Sequence, residues 1–181
     1  MKNTIMPEHH LRGSAFQLRP FRPGDVPALA RYADNRKIWA NVRDHFPHPY
    51  TEEHAKTYIE KLQKTPELIF AIEQRGEAVG SIGLKPMGDP IYRFTRELGF
   101  WLGEPFWGRG IMSEAVGLIT ALAFEDLGLR RLHAEVFAHN PASMHLLLKN
   151  GFRREGVLRQ AAIKDGKMVD MHLFGRLRED K

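Results

Sequence analysis

Residues 97–115 read Glu-Leu-Gly-Phe-Trp-Leu-Gly-Glu-Pro-Phe-Trp-Gly-Arg-Gly-Ile-Met-Ser-Glu-Ala, an apolar strand-like run that passes through a glycine-rich turn directly into a helical pattern. Gly108 and Gly110 reach backbone angles closed to other residues and leave room beside the main chain. The N–H groups of the turn at Trp107, Gly108, Arg109 and Gly110, and of the first helical turn at Ile111, Met112 and Ser113, then converge on one point. Such a convergence is an anion site, worth ~0.3–1 kcal/mol from the helix dipole alone and more with direct hydrogen bonds. Arg109 adds positive charge, and the Ser113 hydroxyl is within reach of the same region. A Walker loop is excluded: Gly103 and Gly108 have its spacing, but Arg109-Gly110 stands where Lys-Ser/Thr is required. A dinucleotide fingerprint would need a third glycine at Ser113. A turn that serves geometry alone is the competing reading.

A second polar group lies downstream. Asn140-Pro141-Ala142-Ser143 opens a helix, with Asn140 at the cap and proline at the first helical position. Glu97 is a carboxylate on the strand that leads into the turn, open also to the plain role of pairing with Arg96 or Arg93. His45 and His48 flank Pro47 and read as a surface loop, with no third ligand that would make a metal site. No cysteine is present, so disulfides, thiolate catalysis and Fe–S clusters are excluded.

The elements that must position these residues follow from periodicity. Phe16 to Pro20 alternates as a strand; Asp25 caps a short helix to Ala33; residues 39–50, with their prolines and aromatics, form an ordered loop or broken helix. A helix runs from Thr51 to about Lys64, with strands at Leu68–Glu73, Val79–Leu84 and Arg96–Leu102 after it. Met112, Ala115, Val116, Ile119, Leu122, Ala123 and Leu127 share one helical face that ends at Gly128. A strand at Leu132–Phe137, the helix from Asn140 to Asn150-Gly151, and a hairpin around Asp165-Gly166 complete the chain. The hairpin register expected from that turn pairs Ile163 with Met168, Ala161 with Asp170, Arg159 with His172 and Val157 with Phe174. Leu158, Gln160 and Ala162, with Met171, Val169 and Leu173 opposite them, would then pack on the core, leaving Arg159, Asp170 and His172 on the wetter face. Residues 1–13 read as a flexible tail and 14–181 as one α+β domain around a mainly antiparallel sheet.

Composition fits that reading. Of 181 residues, 43% are hydrophobic and 27% charged, with a net charge of +5 that is spread along the chain. A spread-out excess predicts no nucleic-acid stripe, and no apolar run is long enough to cross a membrane. A cytoplasmic address is expected, with no secretory leader in the polar start.

Trp107 to Ala115 resembles the pyrophosphate loop of the GCN5-related N-acetyltransferases (GNAT), Gln/Arg-x-x-Gly-x-Gly/Ala, with Pro105 at the Gln/Arg position. Asn140-Pro-Ala-Ser143 followed by Lys149-Asn150-Gly151-Phe152 resembles the same family's Asn-x-x-Ala/Ser…Lys-x-Gly-Phe element. Together, from about Ser14 to Leu177, they resemble the RimJ/RimL-like branch, the ribosomal-protein-alanine N-acetyltransferases.

That resemblance implies a GNAT-type acyl-CoA N-acyltransferase fold, a splayed mixed sheet flanked by helices, with acetyl-CoA in the V-shaped gap and no metal. Its diphosphate would sit on Trp107 to Ser113, its pantetheine arm along Phe100, Trp101 and Leu102, with Asn140 and Lys149 also touching it. The implied reaction is direct attack of a primary amine on the thioester. The family role of a base on the fourth strand falls to Glu97. The RimL-like role of a hydrogen-bond donor to the leaving thiolate falls to Ser143, because Leu147 replaces the usual tyrosine. Trp39 and Arg43 occupy the acceptor-shaping segment, and Arg159, Asp170 and His172 are further acceptor candidates. The glutamate of the RimL-like Gln-Ala-Glu run is absent from Gln160-Ala161-Ala162, and a common tyrosine in the last strand is Phe174. The acceptor implied is a peptide or protein N-terminus. The alternatives are a small amine (amino acid, polyamine or aminoglycoside) or a non-catalytic CoA-binding, ribosome-associated module. The chain would act as monomer or homodimer.

Overall fold

The computed structural model describes residues 10–65 and 67–180. Its strands are β1 (Leu11–Arg12), β2 (Gln17–Arg19), β3 (Leu68–Gln74), β4 (Glu77–Pro86), β5 (Thr95–Leu102), β6 (Arg131–Phe137), β7 (Arg153–Lys164) and β8 (Lys167–Leu177). Its α-helices are α1 (Val26–Ala33), α2 (Arg36–Trp39), α3 (Glu52–Leu62), α4 (Ile111–Ala121) and α5 (Pro141–Lys149). The strands form one sheet in the order β1-β2-β3-β4-β5-β6-β8-β7, antiparallel except between β5 and β6.

Strand alternation divides the core. Phe70, Ile82, Leu84, Leu98 and Leu102 turn to one face, where α4 and α5 bring Met112, Ala115, Val116, Ile119 and Leu147. Ser81, Gly83, Lys85, Glu97, Gly99 and Trp101 turn to the other. There α1 and α3 pack Leu29, Ala33, Ala55 and Ile59 around Tyr50.

The decisive feature is where β5 and β6 part. Strand β5 pairs with β4 along its whole usable length, from Pro86↔Arg96 to Gly80↔Leu102. It pairs with β6 only at Thr95↔Arg131, Arg96↔Leu132 and Glu97↔His133. Beyond Glu97 the sheet is open, with the edge of Leu98–Leu102 on one side and of Ala134–Phe137 on the other.

Several local expectations are corrected. Leu11–Arg12, assigned to a tail, adds a short strand to β2; the rest of that tail up to residue 9 lies outside the described residues. Asp25 stands at the N-cap position of α1, but its side chain makes no cap hydrogen bond: both its oxygens accept from Arg19 at 2.7 Å, and a 3-10 turn over Pro23–Asp25 leads into the helix. A paired buried carboxylate has more to gain from a guanidinium than from a helix end. Leu127 is 37% exposed because a π-helical turn over Leu122–Asp126 adds a residue and rotates it off the apolar face.

The β7–β8 hairpin follows the expected register only next to its turn, at Ile163↔Met168. Beyond it a bulge opens, Gln160 takes a positive φ of 50°, and its N–H donates to the Asp170 carboxylate. The pairs then become Leu158↔Met171 and Val157↔His172. The expected burial holds for Met171, 8% exposed at the cavity wall, but not for the rest of that face. Phe174 is 1% exposed among the α4/α5 core, whereas Leu158 is 47% exposed. The reason lies in β6: Ala134, opposite Phe174, faces that core, and β8 must follow it.

Candidate active site

A cavity of about 510 Å³ runs through the opening between β5 and β6. On the α4/α5 side it is walled by Val136, Asn140, Ser143 and Leu147. On the other side its walls come from α3, from the segment 41–47, and from the faces of β4 and β5 at Ser81, Gly83, Lys85, Glu97, Gly99 and Trp101. Two chemical compartments therefore meet at one gap in the sheet.

At the point where the strands part, Arg43 Nη2 donates to Glu97 at 2.6 Å and to Glu135 at 2.8 Å. Glu97 is thus tied across the cavity to Arg43, not to Arg96, whose guanidinium turns to the carbonyls of Arg93 and Thr95. His133 Nε2 lies 3.3 Å from Glu135, and this hydrogen bond, with Arg43 and against the effect of burial, holds the Glu135 carboxyl below its ordinary range. Partial burial and the cations Lys85, Arg43 and Lys61 push His45, at the cavity wall, toward its neutral form.

On the opposite wall, Asn140 caps α5 by accepting from the Ser143 N–H at 3.1 Å. Its amide also donates to Ser143 Oγ at 2.9 Å. The serine oxygen is thereby occupied as acceptor, and its own proton is left to donate into the cavity.

The glycine turn has the backbone that its sequence demands. Gly108 and Gly110 adopt φ of 70° and 78°, and a side chain at either would project into open space. None of the N–H groups from Gly108 to Ser113 donates to another group among the described residues. Trp107 fixes the turn by donating from its ring N–H to Leu102 O at 2.6 Å, and the Arg109 guanidinium lies 5.6 Å over Phe106. Ile111 and Met112 bury their side chains in the core, so only their main chain faces the turn. Ser113 departs from expectation: its hydroxyl accepts from Asn150 at 3.1 Å and buttresses α5. The residues fit an anionic diphosphate, since this cluster of unpaired donors with no side chain in front of it has no other partner among the described residues.

Of the sequence-predicted site residues, Glu97, Ser143, Phe100, Trp101, Asn140 and Arg43 line the cavity. Leu102 is 7% exposed and contributes its carbonyl to Trp107. Lys149 is exposed at the end of α5. Arg159, Asp170 and His172 do not line the cavity: His172 shares its face of β8 with Phe174, Asp170 serves the bulge, and Met171 is the β8 residue at the cavity wall. Trp39 is also outside, its ring centroid 4.7 Å from the Arg36 guanidinium and 3.8 Å from Lys164 Nζ. Sequence reasoning passed over Glu135, Tyr50, Tyr58 and Gly99. For Glu135 the signal was available: His133 and Glu135 are alternate polar residues in an otherwise apolar strand.

The family profile described as "Acetyltransferase (GNAT) domain" matches residues 16–153. The chain belongs to the GNAT acetyltransferase family. It is 34% identical over 121 residues to the uncharacterized N-acetyltransferase YoaA of Bacillus subtilis (strain 168), an alignment spanning 66% of this chain and 67% of that protein. It is 32% identical over 109 residues to the ribosomal-protein-serine acetyltransferase of Escherichia coli (strain K12), spanning 60% of each. Among solved structures, Mycobacterium smegmatis RimJ in complex with CoA-disulfide superposes with a TM-score of 0.82 at 25% identity, covering 93% of this chain and 86% of that one. This GNAT protein is accordingly an N-acetyltransferase, with acetyl-CoA as its acetyl donor. Among the described residues no helix is long and apolar enough to cross a membrane, and no group of three His, Cys, Asp or Glu side chains could hold a metal ion.

The segment carrying Arg43 is held from outside the cavity. Lys164, 3% exposed at the tip of the β7–β8 hairpin, donates to Asp44 at 2.6 Å and sits on the Trp39 ring. Lys164→Met removes a charge-assisted hydrogen bond and a cation–π contact, expected to cost about 1–2 kcal/mol and to lower Tm by several degrees. Arg43 should then swing more freely, raising KM for the amine while leaving KM for acetyl-CoA unchanged; thermal melts and steady-state kinetics check both.

Proposed function

We propose that this GNAT enzyme acetylates the α-amine of a peptide or protein N-terminus by direct attack on the thioester, in the cytoplasm. The observation that carries the reading is the cavity passing through the sheet. An amine entering from the α3 side meets Glu97 and Glu135 at the same gap that Ser143 borders from the α5 side. An α-amine, with a pKa near 8, is roughly a tenth neutral at pH 7, against about one part in 10^3 for a lysine amine. That lightens the task of any base, and Glu97, through water, is placed to take the proton. Glu135, held down by His133 and Arg43, is suited to orienting the ammonium.

On the donor side, the N–H groups of Gly108–Ser113 hold the diphosphate. The free edge of Phe100–Leu102 pairs with the pantetheine amides as an added strand, and an N–H of that edge polarises the thioester carbonyl. Ser143 donates to the departing sulfur. The E. coli relative's name, ribosomal-protein-serine acetyltransferase, supports a protein acceptor.

The test is thiol release from acetyl-CoA with short peptides that have either a free N-terminus or a blocked one plus a lysine, the products mapped by mass spectrometry. Acetylation confined to the free N-terminus is expected. Transfer to the lysine side chain, or turnover only with polyamines, would overturn the reading.

A further inference from the structure

The α3-side half of the cavity has a composition that proton transfer does not explain. Phe46 stands 4.9 Å from Tyr50 and 5.7 Å from Trp101, edge-on to the latter at 76°. His54 lies 5.9 Å from Tyr50, and Tyr58 faces the same space with its hydroxyl 3.5 Å from Ser81. These rings surround the faces of β4 and β5 at two opposed glycines, which differ in kind. A Cβ on Gly83 would meet Ile69 and the Leu68 carbonyl at 2.7 Å, so that glycine is required by packing. A Cβ on Gly99 would meet nothing within 4 Å, and its φ is not in the left-handed region. Neither backbone nor neighbours account for glycine there; what it does is keep the cavity floor open.

We propose that the acceptor carries a bulky apolar group, aliphatic or aromatic, beside the carbon that bears its amine, received over Gly99 by Phe46, Tyr50, Tyr58 and Trp101. This rests on reading the α3-side half of the cavity as the acceptor's. Glu97 and Gly99 are alternate residues of β5 on one face, roughly 7 Å apart. An amine held at Glu97 therefore puts its own side chain above Gly99. A methyl or hydroxymethyl group in that place would leave the rings in contact with water. Burial pushes the phenols of Tyr50 and Tyr58 up, Tyr58 to about 12, so both stay neutral and add no charge to the pocket.

The test uses peptides identical after their first residue, which is Ala, Ser, Met, Leu or Phe, alongside the free amines ethylamine, isoamylamine and phenethylamine. Burial of one such side chain predicts kcat/KM for Met, Leu and Phe about 10- to 100-fold above Ala and Ser. Gly99→Val should fill the floor and lower the ratio of kcat/KM for Met, Leu and Phe to that for Ala and Ser about tenfold or more, with KM for acetyl-CoA unaffected. Gly99→Ala, expected to fold in any case, should move in the same direction. Equal or better turnover of Ala and Ser peptides overturns the proposal. So does a rise in KM for acetyl-CoA in the Gly99 variants, which would mean that the space belongs to the pantetheine arm. If the free amines follow the bulk order while no peptide is acetylated, the pocket stands and the N-terminal reading falls. If peptides are acetylated without regard to their first residue, the reverse holds.

Discussion

Gly108→Val is expected to weaken coenzyme A binding by at least about 100-fold while lowering the Tm of the unliganded protein by only about 2–8 °C. The asymmetry follows from where this glycine sits. Its φ of 70° is in the left-handed region, which a β-branched residue enters at a cost of about 1–2 kcal/mol. The turn is exposed and a side chain on it would touch nothing, so strain is the whole folding penalty. Binding suffers more, because relief of the strain turns the neighbouring N–H groups away, and the new side chain stands where the diphosphate must approach. Loss of two charge-assisted hydrogen bonds is worth about 3–6 kcal/mol. Gly128→Val is the matched control: its φ is 63°, its Cβ also meets open space, and it lies at the far end of the α4 segment. It should lose similar stability with coenzyme A affinity intact. Calorimetric titration and thermal melts of both variants decide the matter; unchanged affinity in Gly108→Val removes the turn from the cofactor site.

The turn, the strand before it and the helix after it were legible because the signals are local: two glycines, an apolar alternation, then a change of period. The same holds for Asn140, whose capping role is written in the proline that follows it. What escaped the sequence depends on long-range pairing. Arg43 is 54 residues from Glu97 and 92 from Glu135, and nothing along the chain says that one guanidinium holds both carboxylates. The hairpin turn was read correctly, but a bulge at Gln160, invisible to alternation, altered the register beyond it. Which face of β8 is buried is set by its pairing with β6, so Asp170 and His172 share the face of the buried Phe174 instead of a wet one. Trp39, a plausible ligand contact by type, is held between two cations, one of them contributed by Lys164 from the other end of the chain. Gly99 looked like an ordinary strand glycine until the space above it could be seen.

Ser143→Ala tests the other wall of the site. Asn140 occupies the serine oxygen as donor, and the hydroxyl proton is left for the cavity. If that proton meets the departing sulfur, its removal should lower kcat about 100-fold, the scale on which positioned proton donors act. The effect on coenzyme A binding should be small. The cap of α5 survives, because it runs from the Asn140 side chain to the main-chain N–H of residue 143 and does not need the hydroxyl. Ala at a first-turn position is also a good helix former, so the Tm should hold. Ser143→Thr keeps the hydroxyl and should recover part of the rate. The pattern expected is therefore a fall in kcat with both KM values nearly constant, the mark of an interaction made only in the transition state. A Ser143→Ala enzyme with normal kcat would leave the hydroxyl to Asn140 alone and return thiolate protonation to solvent.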